Sequence, residues 1–109
     1  MSGLVVVWRY DVRPAAVAAF ERDYGPDGAW ARLFRRDGGY LGTDLWRVDA
    51  RAHAYMTFDR WRSASAREAF LAAHRAEYDA LDARCSAYTS SESLVGEFTL
   101  DAPARARPD

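Results

Sequence analysis

The chain has 109 residues, half of them hydrophobic and 14% aromatic, with a formal net charge of −1 and a pI near 6.1. That length makes one domain with a real but small core, and without a basic field a nucleic-acid partner is not expected. Lys, Ile, Asn and Gln are absent, all fifteen basic residues are Arg, and a single cysteine, Cys85, leaves no intrachain disulfide and fits a reducing, cytoplasmic setting.

Leu4–Val12 is rich in β-branched and aromatic residues and reads as a strand. Leu4, Val6, Trp8, Tyr10 and Val12 share one of its faces, with Val5, Val7, Arg9 and Asp11 on the other. Pro14 suits the first turn of a helix on which Val17, Phe20 and Tyr24 recur at helical spacing. Gly25-Pro26-Asp27-Gly28 breaks it, and a short second helix carries Trp30, Leu33 and Phe34 before Gly38-Gly39. Arg32, Arg35 and Arg36 form its solvated face.

Tyr40–Val48 and Ala52–Trp61 are predicted as a hairpin of two strands joined at Asp49-Ala50-Arg51. On the second of these, His53, Tyr55, Thr57, Asp59 and Trp61 point one way. Ser65 and Glu68 form a capping box that opens the longest helix, expected to run unbroken to about Arg84. Its apolar stripe is Phe70, His74, Tyr78, Leu81 and Cys85. Ser86–Leu100 reads as a last strand bent near Gly96. The expected domain spans residues 1–100, and 101–109 reads as a disordered tail. No apolar run approaches a membrane span, and the N-terminus does not read as a signal peptide.

The order strand, broken helix, strand, strand, helix, strand is the split βαβ pattern of an α+β, ferredoxin-like βαββαβ domain. It predicts a four-stranded antiparallel sheet with the first and third strands in the middle. Helices cover one face. The other also carries apolar residues, and a second copy of the chain is the economical cover, so a homodimer is expected.

Certain stretches carry a family likeness. They are the first strand running into Arg13-Pro14, the Gly39-Tyr40-Leu41-Gly42 start of the second strand, Thr57 to Ser63 at the end of the third, and Phe70-Leu71-Ala72-Ala73-His74. Over about residues 3 to 100 the chain resembles the antibiotic-biosynthesis monooxygenase family of the dimeric α/β-barrel superfamily. The resemblance implies a homodimer with a pocket between sheet and helices in each subunit. It also implies, for some members, oxygenation of anthrones or quinols without metal or flavin, and for others haem degradation. In the anthrone oxygenases an Asn-x-x-x-Trp pattern ends the third strand. Here the Trp is Trp61 and the Asn position holds Thr57. A further family Asn falls at about Trp8. Of the haem degraders' Asn, Trp and His, the first falls near Trp8, the second at Phe70, and the third beyond His74. With no Asn in the chain, that haem chemistry is not expected, and anthrone oxygenation would need altered chemistry.

Read physically, Trp8, Tyr55, Thr57 and Trp61 on the sheet and Phe70, His74 and Tyr78 on the helix suggest an aromatic pocket for a small planar molecule. His74 is the first choice of base on titration grounds, with Asp59 and His53 behind it. Trp61 shapes the pocket, and Thr57 offers a hydrogen bond where the family has an amide. Trp8, Tyr55, Phe70 and Tyr78 are the expected substrate-binding residues. No metal-ligand spacing or phosphate loop is present, so no metal or other cofactor is expected. The favoured reading is a cofactor-independent monooxygenase acting on a phenolic, quinol or polyketide-like aromatic. The alternative is a non-catalytic dimeric module that binds a small ligand or serves a pathway as an accessory.

Overall fold

The computed structural model describes residues 3–49 and 51–100. The predicted tail at 101–109 lies outside the described residues, as does Ala50 of the hairpin turn. Strand β1 (Gly3–Val12) is built on the Val5-Val6-Val7 run, which favours extended backbone. It lies inside a four-stranded sheet of order β2-β3-β1-β4, with β2 Tyr40–Asp49, β3 Ala54–Trp61 and β4 Thr89–Leu100. All three pairings are antiparallel. This is the predicted ferredoxin-like α+β arrangement, with β1 and β3 central.

Pro14 opens a 3-10 turn, and helix α1 (Val17–Tyr24) follows. A sharp reversal then leads to α2 (Ala29–Phe34). Gly28 makes the reversal possible, because a Cβ there would sit 2.4 Å from the carbonyl oxygens of Arg22 and Asp23. In β2, Gly42 has φ +140° beside a register shift, a conformation that glycine adopts freely. A second irregularity lies where Val7 and Trp8 of β1 face Gly96 and Leu94, which is the bend predicted near Gly96.

Three expectations about the second half are corrected. The long helix is capped by Ser63, whose hydroxyl accepts from the N–H of Ala66 at 3.1 Å; Ser65 already lies inside the first turn, so the Ser65–Glu68 box does not form. The helix is not continuous. It breaks at His74 (φ −127°, ψ 28°) into α3 (Ala64–Ala73) and α4 (Arg75–Cys85). No Gly or Pro marks the break. There the imidazole lies on Phe70, with ring centroids 5.0 Å apart, and Nδ1 sits 3.5 Å from the Glu77 carboxylate. Finally, β3 begins at Ala54 and β4 at Thr89, because residues 51–53 form a turn and Ser86–Tyr88 a 3-10 turn.

All helices lie on the sheet face that presents Leu4, Val6 and Tyr10 of β1 with Tyr55, Thr57 and Trp61 of β3, each buried. Aromatic rings dominate this core: Trp61 packs on Phe34, Tyr40 and Phe70 with centroids 5.4 Å away in each case. The opposite face is open. Trp46 is 64% exposed, Leu100 63% and Phe98 50%, and registers with Met56, Gly3 and Val5 put them on that face.

Candidate functional site

Trp8 sits mid-strand on the helix-covered face, opposite Thr57 of β3 and Leu94 of β4. Two positions along β3, Asp59 lies opposite Thr43 of β2. Tyr10 of β1 completes the floor. Tyr24 at the end of α1, with Trp30 and Phe34 one helical turn apart on α2, close one side. From α4 come Tyr78 and Asp82, also one turn apart, and from β4 comes Glu92. These side chains enclose a cavity of about 50 Å³. Asp82 and Glu92 are its exposed members, so the mouth lies between α4 and β4. A cavity of roughly 150 Å³ takes a benzene ring, so an aromatic ring enters this one only if a wall gives way.

Asp59 is the chemically distinctive group. Burial pushes its carboxyl up to about 6, against the opposing pull of the Thr43 hydroxyl and the Arg67 guanidinium. Thr43 Oγ1 donates to Asp59 Oδ1 at 2.6 Å, and Tyr40 and Thr43 share a hydrogen bond of 2.5 Å behind it. The carboxylate is thereby oriented and its second oxygen left available. Burial also raises the phenols of Tyr10, Tyr24 and Tyr78, so each stays a neutral O–H donor. The Thr57 hydroxyl reaches the Tyr10 oxygen at 3.5 Å.

The predicted site residues separate into two groups. Trp8, Thr57, Asp59 and Tyr78 line the cavity together. Trp61 and Phe70 do not line it; they are packed in the core at 2% and 0% exposure. Tyr55 is buried further along β3, where its hydroxyl donates to Glu21 and accepts from Arg47 Nε at 3.1 Å. His74 also lies outside the lining, held between Phe70 and Glu77, and Arg36, in the turn after α2, pairs with that same Glu77. His53 lies in the turn before β3, and its backbone carbonyl accepts from Val12. The single grouping of Trp8, Thr57, Trp61 and His74 expected from the sequence is therefore corrected. Tyr10 and Thr43 were legible from strand alternation, and Trp30 with Phe34 from helical spacing. Glu92 had no signal in the polar start of β4.

Among the described residues, no group of three or more His, Cys, Asp or Glu side chains is arranged to hold a metal ion, and no helix is long and apolar enough to cross a membrane. No protein-family model and no curated protein matches the sequence. Solved structures do match. A mutant of SnoaB, a cofactor-independent oxygenase from Streptomyces nogalater, is 25% identical, covering 90% of this chain and 92% of that one, with a TM-score of 0.66. The chain has the antibiotic-biosynthesis monooxygenase fold. A Bordetella bronchiseptica protein provisionally named for that family superposes with a TM-score of 0.71 at 18% identity, over 93% of this chain and 99% of that one. A Nitrosomonas europaea protein of unknown function is 20% identical, over 94% and 92%, with a TM-score of 0.67. At those identities the last two speak for the fold alone. This fold puts the cavity between the sheet and α1, α2 and α4.

Proposed function

We propose that this chain is a cofactor-independent oxygenase of a small phenolic or quinol substrate, with Asp59 as its general base. The observation that carries the reading is a partly buried carboxylate, raised to about 6, held by Thr43 in an aromatic cavity. A base poised near working pH removes a proton most effectively. His74, the first choice from the sequence, lies outside that cavity. The likeness to SnoaB, itself a cofactor-independent oxygenase, supports the same chemistry here.

In this mechanism Asp59 takes the proton of a bound quinol hydroxyl. The Tyr10, Tyr24 and Tyr78 hydroxyls supply donors for the resulting anion in a site with little water. The anion passes one electron to O2, and radical and superoxide combine to form a C–O bond. Asp59 returns its proton to the resulting peroxide anion; the hydroperoxide then loses water as the C–H bond at the oxygenated carbon breaks, Asp59 taking that proton and passing it to the departing hydroxide. One oxygen atom ends in the product and the other in water, and the substrate supplies all four electrons. Substrate entry is by displacement of α4 about the break at His74, where the helix is already interrupted. The exposed apolar face built on Trp46, Phe98 and Leu100 supports a homodimer as the working particle.

The small cavity favours one second reading, a module that binds a compact ligand without turning it over. Oxygen uptake with a panel of quinols and anthrones separates the two. The oxygenase reading expects uptake by the wild type, a drop of at least about 100-fold in Asp59→Asn, and a much smaller drop in His74→Ala. No uptake with any panel member refutes it.

A further inference from the structure

One row of residues crosses the helix-covered face of the sheet. Thr43 of β2 faces Asp59 of β3, Asp59 faces Val6 of β1, and Val6 faces Glu97 of the edge strand β4. Two carboxylates therefore stand in line with Val6 between them, their backbones about 10 Å apart at two strand spacings. Arg67 lies over this row. It is on α3, one helical turn before Phe70, which packs on Trp61, so the two share the sheet-facing side of the helix. Its side chain is only 20% exposed, and Nη1 donates to Glu97 Oε2 at 3.2 Å. Asp59 receives a hydrogen bond from Thr43 and, among the described residues, pairs with no guanidinium. Arg67 is nonetheless the cation whose field reaches both Asp59 and Tyr78. The phenols around Asp59, Tyr10 of β1, Tyr24 of α1, Tyr40 of β2 and Tyr78 of α4, are held neutral by burial. Asp82 of α4 and Glu92 of β4 bring only negative charge to the same cavity, and α2 brings uncharged rings. One arginine thus stands within range of two acids and serves the outer one.

We propose that Glu97 is a positioning residue: by holding the Arg67 guanidinium at the edge strand, it keeps Asp59 free of a cationic partner and available to take the substrate's proton. A guanidinium paired directly with a carboxylate lowers it by about 1–3 pH units. Such a pair at Asp59 would leave it ionised but weakly basic at working pH. As a surface ion pair, Arg67–Glu97 adds little stability; its effect is on where one charge sits. This inference rests on the reading of Asp59 as the base and adds the two residues that set its strength.

The test reads Asp59 directly, without substrate or oxygen. Carboxyl NMR signals of isotope-labelled aspartates are followed against pH, and the Asp59 signal is assigned by its loss in Asp59→Asn. In Glu97→Gln the released guanidinium pairs with Asp59, and the midpoint is expected to fall by about one pH unit. Arg67→Gln removes the cation and is expected to raise the midpoint by about half a unit. The Arg67→Gln/Glu97→Gln double variant is expected to stay at the Arg67→Gln value, because Glu97 acts through Arg67. Glu97→Asp, which retains the charge, stays near wild type. A midpoint in Glu97→Gln at or above that of wild type overturns the proposal. So does an equal drop on losing Glu97 with or without Arg67, which is a direct effect of the Glu97 charge. No rise in Arg67→Gln also overturns it, a readout that holds even if the Glu97 variants do not fold. With a quinol that is turned over, kcat/KM of Glu97→Gln at pH 7.5 is expected to fall about threefold as the base weakens. If no quinol supports oxygen uptake, the oxygenase reading falls, and the titration still decides whether Glu97 holds Arg67 from Asp59.

Discussion

Replacing Asp59 by Asn should stabilise this protein at neutral pH while removing its proposed activity. The folded carboxyl is raised from 3.8 to about 6 by burial. A raised carboxyl means that the folded protein favours the neutral form. Below about pH 4 the group is protonated whether the chain is folded or not, and it costs nothing. Above about pH 6 it is ionised in both states, and the folded state must hold that charge in the cavity. At 1.36 kcal/mol per pH unit, the cost approaches about 3 kcal/mol, and wild-type stability from this group declines as pH rises from about 4 to about 6. Asparagine keeps the shape and still accepts from Thr43, but has no charge to bury. The assay is urea unfolding of both proteins at pH 4, 5, 6 and 7.5. The expected gap is near zero at pH 4 and about 2–3 kcal/mol in favour of the variant at pH 7.5. A variant less stable than wild type at pH 7.5, or a gap independent of pH, refutes the reasoning.

Phe70 is wholly buried, with ring centroids 5.3 Å from Phe34 and 5.4 Å from Trp61. Phe70→Ala should cost about 3–5 kcal/mol of unfolding free energy, and a loss below about 1 kcal/mol would contradict its place in the core. Gly28→Ala drives a methyl into the carbonyls ending α1; a loss of about 1–3 kcal/mol in the same assay is expected. Charging the open face with Trp46→Arg and Phe98→Arg should convert a dimer into a folded monomer by analytical ultracentrifugation, whereas a monomeric wild type would remove the dimer proposal.

The fold was legible because the hydrophobic pattern and the element order agree. The β-branched run of β1 and the βαββαβ order determine the central strands, and the sheet follows. The site was only half legible. Alternation along β3 puts Tyr55, Thr57, Asp59 and Trp61 on one face, but it does not say which lie under a packed helix and which border a gap. Trp61 is sealed by Phe34 and Phe70, while Asp59 is left at the cavity. The stripe that joins Phe70, His74 and Tyr78 assumes an unbroken helix. With the break at His74, Phe70 seals the core, Tyr78 lines the cavity and His74 turns toward Glu77. That Arg67 pairs with Glu97 depends on how α3 lies over the sheet, and no spacing in the chain encodes that.

The pH dependence of kcat/KM for oxygen uptake on the best quinol tests proton removal by Asp59 most directly, since that ratio reports groups of the free protein. It should rise with pH along a single limb centred near 6 and then level off, with the limb gone in Asp59→Asn. A flat profile from pH 5 to 8, or a limb that persists in the variant, would mean that some other group takes the proton.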